Sequence, residues 1–152
     1  MATIRKPPRL AAIPLAPWER DGVMAALRKA NLPADDVDSP NRWFWRFETH
    51  DSTPVGFGGL EIHGDAALLR SVVTLPPLRR RGIGQAIVAA IEAEARIAGC
   101  RVIWLITASS AQLFARLGYA SCRPEVVPLS IRDTREFTAH GTPASMMMKR
   151  LT

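Results

Sequence analysis

The strongest constraint in the sequence is the stretch Arg79-Arg80-Arg81-Gly82-Ile83-Gly84, set between a strand pattern and a helical one. Ahead of it, Leu68-Leu69-Arg70-Ser71-Val72-Val73-Thr74-Leu75 is rich in aliphatic and β-branched residues and reads as a buried strand. Pro76-Pro77 end that strand, because proline has no N–H to give a sheet ladder. After the turn, Ile83, Ile87, Ile91, Ala95 and Ala98 recur at three- and four-residue spacing, with Glu92, Glu94 and Arg96 off that face. This pattern predicts an amphipathic helix closed by Gly99. Val102-Ile103-Trp104-Leu105-Ile106 predicts a second strand directly after it. A strand, a glycine turn, a helix and a strand in that order form a right-handed parallel crossover.

The turn is where chemistry enters. Glycines at 82 and 84 let backbone approach a ligand with no Cβ in the way, and free N–H groups at a helix start favour phosphate. The three arginines upstream add charge of the kind that pairs with phosphate. A dinucleotide fingerprint would need a third small residue where Ile87 stands, and no Gly-Lys-Ser/Thr phosphate loop is present. Arg79-x-x-Gly82-x-Gly84 matches the pattern Arg/Gln-x-x-Gly-x-Gly/Ala, and in this the chain resembles the GNAT acyltransferases. The resemblance runs from about Leu68 to Tyr119 and includes Ala115-Arg116-Leu117-Gly118-Tyr119. It implies a mixed α/β sheet fold with antiparallel N-terminal strands and a central strand-helix-strand parallel unit, with acetyl-CoA as cosubstrate.

Bulk properties narrow the remaining classes. The 152 residues make one domain, 1–152, large enough to bury about two-thirds of its unfolded surface in a single core. No apolar run approaches a membrane span, and Pro7, Pro8, Pro14 and Pro17 interrupt any signal-peptide core after Arg5 and Lys6. Two cysteines, Cys100 and Cys122, make neither a disulfide framework nor a zinc site, so no metal and a cytoplasmic setting are expected. The net charge of +6 raises nucleic acid as a partner, but outside 79–81 the arginines are dispersed and no nucleic-acid motif accompanies them. A monomer or homodimer acting on a small amine is the expectation.

In chain order, Leu10 to Leu15 predicts a first strand, and Pro17 opens a helix whose apolar face carries Val23, Met24, Leu27 and Ala30. Residues 31–40 read as an acidic turn-rich connection or short helix. Trp43 to Thr49 and Val55 to Ile62 predict two further strands, the second weakened by Gly56, Gly58 and Gly59. His63-Gly64-Asp65 turns the chain into the central strand. After the crossover come a short helix over Ala111 to Leu117, strand patterns at Tyr119 to Arg123 and Ala144 to Leu151, and a helical insert over 128–137 between them.

A narrower resemblance covers nearly the whole chain. Ala30-Asn31-Leu32-Pro33-Ala34-Asp35-Asp36, Gly59-Leu60-Glu61, Gly64-Asp65-Ala66-Ala67-Leu68-Leu69-Arg70-Ser71-Val72, Ile131-Arg132-Asp133-Thr134-Arg135-Glu136-Phe137 and Pro143-Ala144-Ser145 are similar to segments of the arsenic-resistance acetyltransferases of the GNAT superfamily. Gly141-Thr142 stands where that family carries a cysteine, and its threonine run is reduced to Thr107-Ala108-Ser109. The resemblance implies an arsonate- or phosphinate-bearing amino acid as acceptor and a role in detoxification. The alternatives are an unrelated amine (an antibiotic, a polyamine or a peptide N-terminus) or, with Phe114 in place of a tyrosine, a catalytically weak acyl-CoA-binding module.

It also implies roles for residues. Backbone groups of Val72, Val73 and Thr74 would pair with the pantetheine, and the turn of Arg79, Arg80, Arg81, Gly82, Ile83, Gly84 and Gln85 would hold the pyrophosphate. Phe114 stands where most GNAT enzymes carry the tyrosine that protonates the departing thiolate, and Thr107 stands where the family has an asparagine. Glu61 is the candidate general base or ammonium anchor. With a two-residue loop at Gly64-Asp65, Glu61 faces Leu68, and Arg70 lies diagonally on the same face. The two then either bind a zwitterionic acceptor or pair with each other, and a loop one residue longer would put Glu61 beside Ser71 instead. Arg132 is a second candidate for the acceptor's anion. His63 and His140 read as surface residues, and Trp43 and Trp45 as packing or as a wall of the amine pocket.

Overall fold

A computed structural model describes residues 9–29, 42–75, 82–132 and 145–151, apart from the side chains of Ser71, Pro124 and Arg132. Strand β1 (Ala11–Pro14) leads through a 3-10 turn (Pro17–Glu19) into helix α1 (Arg20–Lys29). Strands β2 (Arg42–Glu48), β3 (Pro54–His63) and β4 (Ala66–Thr74) follow, then α2 (Ile83–Ile97) and β5 (Val102–Thr107). The chain closes with α3 (Ala111–Arg116), β6 (Ala120–Ser121), a 3-10 turn (Pro124–Val126), α4 (Leu129–Arg132) and β7 (Ser145–Arg150). The strands form one sheet in the order β1-β2-β3-β4-β5-β7-β6, antiparallel except for the β4–β5 pair. This is the expected mixed sheet with its central parallel unit.

Three boundaries differ from expectation. Pro17 opens a 3-10 turn rather than the α-helix itself, because the Ala16 N–H donates to Glu19 Oε1 at 3.0 Å and Glu19 also pairs with Arg46 of β2. The sixth strand shrinks to two residues against Met147 and Met148. The insert after Pro128 is one helical turn, Leu129–Arg132, and the rest of it lies outside the described residues, as do Ala30 and the connection 31–40.

Helix α2 is held by its apolar stripe and by its end. Ile83, Ile87 and Ile91 are buried against Phe47, Leu60, Leu69, Ile103 and Leu105. Gly99, at φ 87°, takes the left-handed position that stops the helix, and the N–H groups of Gly99 and Cys100 return to the Arg96 and Ala95 carbonyls. Glu92, expected off the apolar face, is nevertheless buried, because Tyr119 and Lys149 close over it.

The glycines of β3 have a packing reason. A Cβ on Gly58 would lie 2.7 Å from Ile91 Cδ1, and one on Gly56 would lie 2.2 Å from the Val73 carbonyl oxygen and 2.6 Å from Ile87 Cδ1. The isoleucine side chains of the helix therefore rest directly on the strand's backbone. The opposite face of the sheet carries two separate apolar clusters. Val23 and Leu27 of α1 cover Phe44 and Val73, while Val127 and Ile131 cover Ala66, Leu68, Trp104 and Met146.

Two substitutions test this packing in opposite directions. Gly56→Ala forces backbone apart and should cost about 1–3 kcal/mol or more. Gly22→Ala in α1, where a Cβ meets nothing within 4 Å, should gain about 0.5–1 kcal/mol of helix propensity. Thermal melts of the two variants should move to opposite sides of wild type, and a Gly56→Ala melt unchanged from wild type would contradict the close approach.

Candidate active site

The β3–β4 hairpin sets the geometry. Glu61 pairs with Leu68 and His63 with Ala66, leaving Gly64-Asp65 as a two-residue loop with Gly64 at φ 64°. Leu68 is also the last β4 residue paired with β5, opposite Trp104. Beyond it, β4 runs on to Thr74 and β5 to Thr107 without further pairing between them. The two strands thus part at the level of Glu61. Past that point β4 holds one residue more than β3 between the pairs Gly59↔Arg70 and Phe57↔Val73, a bulge over Ser71–Val72.

At the open end, strand and helix come together. Gly82 is the N-cap of α2, at φ 73° and with no side-chain cap, and the first turn carries no acidic residue. The first helical bond runs from the Ala86 N–H to the Gly82 carbonyl, so the N–H groups of Ile83, Gly84 and Gln85 have no acceptor within the helix. A Cβ on Gly84 would meet only Thr74 Oγ1, at 3.6 Å, which is ordinary contact. Internal packing does not require glycine there, whereas an anion drawn onto the helix start does. Val73 is buried under α1 and Val72 packs on the α2 side. The residues present therefore fit a phosphate at the helix start and an extended chain along β4. Arg79, Arg80 and Arg81 lie outside the described residues, as do the side chains of Ser71 and Arg132.

At the level where the strands part sits a charged group that the sequence only half disclosed. Glu61 and Arg70 are each 2 % exposed. Arg70 Nη1 lies 3.5 Å from Glu61 Oε2, and Arg42 Nη2 lies 2.9 Å from the same oxygen. His63 Nε2 lies 2.7 Å from Oε1. Arg42 escaped notice because it precedes the apolar run of β2, and only the β2–β3 register brings it opposite Glu61. His63 is not a surface residue: its side chain is 11 % exposed and is held against Glu61. Trp45 is buried in the α2-side core, and Trp43, on the same side of β2, is exposed. Neither faces Glu61, because side chains alternate along a strand. His140 lies outside the described residues.

Across the sheet, Phe114 is buried edge-on to Tyr119, with ring centroids 5.5 Å apart. Tyr119 is the single tyrosine of the chain, and its hydroxyl donates to Glu92 Oε2 at 2.9 Å. Burial and the Glu92 charge push that phenol far above the ordinary tyrosine range. Lys149 Nζ completes the group, 3.1 Å from both Glu92 oxygens and 2.9 Å from the Leu117 carbonyl. Thr107 Oγ1 accepts the Ser110 N–H at 2.9 Å and keeps its own proton to donate. Burial raises both thiols, Cys100 and Cys122, away from the thiolate, so neither is an activated nucleophile. No cluster able to hold a metal occurs among the described residues, and no helix among them is long and apolar enough to cross a membrane.

A model of the Acetyltransferase (GNAT) family matches residues 9–119. The chain belongs to that family, whose members transfer an acetyl group from acetyl-CoA. Among solved structures it is similar to N-acetylglutamate synthase from Neisseria gonorrhoeae complexed with coenzyme A and N-acetyl-glutamate, at TM-score 0.78 and 16% identity over 97% of this chain. The chain spans only 36% of that protein's length. A Mycobacterium tuberculosis protein in complex with CoA gives TM-score 0.74 at 19% identity, over 95% of this chain and 100% of that one. A spermidine N-acetyltransferase chimera from Vibrio cholerae gives 0.70 at 11% identity, over 94% and 96%. At these identities the likeness is one of fold. No curated protein sequence matches the chain.

The lone tyrosine makes its state measurable. An unfolded chain loses the phenol proton near pH 10, whereas the folded chain holds it well above that. Between the two the unfolded state binds fewer protons, so stability should fall as pH rises past about 10. Phenolate absorbance should appear only with unfolding, and Tyr119→Phe should remove this alkaline loss. A phenolate signal near pH 10 in the folded protein would contradict the Glu92 contact.

Proposed function

We propose that this acetyltransferase modifies the α-amine of a small anionic amino acid, an arsonate- or phosphinate-bearing glutamate analogue of the arsinothricin or phosphinothricin type. The observation that carries the reading is the Glu61–Arg70 pair, 3.5 Å apart on one face, at the level where β4 and β5 part. A carboxylate for an ammonium beside guanidinium groups for an anion is the donor set a zwitterionic acceptor needs. The segments similar to arsenic-resistance acetyltransferases support the oxyanion, and the N-acetyl-glutamate bound by the Neisseria neighbour supports the glutamate frame. Two free cysteines fit a cytoplasmic setting.

In this reading the N–H groups of Ile83, Gly84 and Gln85, with the turn from Arg79 to Gly82, hold the pyrophosphate. Backbone groups of Val72, Val73 and Thr74 align the pantetheine and polarise the acetyl carbonyl. Acetyl-CoA supplies a thioester carbonyl open to direct attack by the amine. Arg70 and Arg132 orient the acceptor's anion, Ser71 adds a contact at the bulge, and Glu61 anchors the ammonium. Phe114 is an apolar wall, and the Thr107 hydroxyl offers one hydrogen bond to the departing sulfur. Much of the rate then comes from positioning.

The test is an amine panel with acetyl-CoA, reading thiol release, with arsinothricin, phosphinothricin, glutamate, spermidine and a peptide N-terminus as acceptors. The two oxyanion amino acids should be turned over above background. Arg70→Ala should raise the acceptor KM roughly ten- to a hundred-fold and leave that of acetyl-CoA near wild type, since a charged hydrogen bond is worth about 1.5–3 kcal/mol. Arg70→Lys should recover only part of this. Turnover of spermidine alone, or an acceptor KM indifferent to Arg70→Ala, would remove the anionic acceptor. Separately, Gly84→Val should abolish most of the thermal stabilisation by acetyl-CoA. Equal stabilisation of this variant and wild type would remove the phosphate site.

A further inference from the structure

His63 closes β3 two residues after Glu61, so its side chain lies on the same face. The carboxylate is divided between its neighbours. Oε2 faces the guanidinium groups of Arg42 and Arg70, and Oε1 faces His63 Nε2 at 2.7 Å. A carboxylate only accepts, so the facing ring nitrogen carries the hydrogen, an assignment made from its partner. The lone pair is then on Nδ1, which makes no hydrogen bond among the described residues. The His63 side chain is also more open than that of Glu61, 11 % against 3 % exposed.

We propose that His63, with its Nε2–H held by Glu61, accepts the proton of the incoming amine. Glu61 is then the positioning residue, which fixes the tautomer and faces the imidazolium once it forms. The inference rests on the reading that the acceptor amine reaches this face. An ammonium has no lone pair and cannot attack a carbonyl. One of its protons passes to Nδ1, directly or across one water, which leaves a neutral amine whose lone pair forms the new C–N bond as the C–S bond breaks. The imidazolium returns the proton to solvent at its exposed edge. Glu61 is less suited to the transfer itself, because it is buried and its oxygens already face three basic groups. Imidazole is the side chain whose proton exchange suits neutral pH.

Among the described residues, the charged group in contact with His63 is Glu61 of β3, which in turn faces Arg42 of β2 and Arg70 of β4. The segment Val127–Ile131, packed on this end of the sheet, has no ionisable side chain, and α1 presents Val23 and Leu27 to the same face.

The experiment compares His63→Gln with wild type across pH, on whichever amine the panel shows to react. Glutamine keeps an N–H donor for Glu61 but has no exchangeable base. Expected is a fall in kcat/KM for the amine of ~10²-fold near neutral pH, the lower end for a positioned base. The melt and the acetyl-CoA KM should stay at wild-type values. The deficit should close as pH rises toward the amine's own pKa, where the substrate arrives neutral. A deficit of the same size at every pH, or none, would overturn the proposal. Imidazole NMR on the resting protein tests it without an acceptor, with His63→Gln assigning the signal among the three histidines of the chain. The neutral ring should be the Nε2–H tautomer. A dominant Nδ1–H tautomer would overturn it equally. Spermidine as the reacting amine would revise the acceptor and leave this test intact.

Discussion

The structure depends on the isoleucines of α2 lying directly against the β3 backbone, with no strand side chain between. Gly56 and Gly58 carry no Cβ where Ile87 and Ile91 descend. Glycine in a strand costs roughly 0.5–1 kcal/mol at each position, while burying each isoleucine contributes about 1.5–3 kcal/mol, so the arrangement is favourable overall. Its consequence lies at the helix start. Held this close to the sheet, α2 begins beside Thr74, and its uncapped N–H groups open at the same end as the unpaired stretches of β4 and β5. The anion site and the slot for an extended chain come from one packing contact.

The opposite face poses a different energetic question. Glu61, Arg42, Arg70 and His63 interrupt what would otherwise be one continuous apolar cover, since α1 packs over Val73 on one side of Arg70 and Ile131 over Leu68 on the other. Buried ion pairs are poor stabilisers against an apolar replacement, yet removing one partner costs about 3–5 kcal/mol. Such a group is weak evidence for stability, and the proposed acceptor site gives it a use. Glu92, Tyr119 and Lys149 form a second such group, but it joins α2 to β7 and to the turn after α3. Tyr119 of this group packs into the α2-side core, on the other face of the sheet from Glu61.

Much of this was legible in the sequence, for reasons that are local. Period-2 and period-3.6 patterns gave strands β2 to β5 and helix α2 within a residue or two, and Gly64-Asp65 fixed the hairpin register that pairs Glu61 with Leu68. What the sequence hid is long-range. Arg42 reads as a loop residue until β2 pairs with β3, and His63 reads as a surface turn residue until its ring is set against Glu61. Glu92 looks like a solvated helix position until Tyr119 and Lys149 arrive from 27 and 57 residues away. The glycines of β3 read as weak points, although they are where the helix touches.

The missing phenol bears on how the reaction is shared out. With Phe114 at the usual tyrosine position and Tyr119 committed to Glu92, no tyrosine is free to protonate the departing sulfur. The omission is tolerable on one side of the reaction only. A thiol's pKa is about 8.5, so its thiolate leaves readily near neutral pH and picks up a proton from water afterwards. Amines titrate at about 8 to 10, and the ammonium has no lone pair until it loses a proton. Deprotonation must precede attack, whereas protonation can follow departure. A site equipped on one side alone should be equipped on the amine's, which is the side proposed for Glu61 and His63.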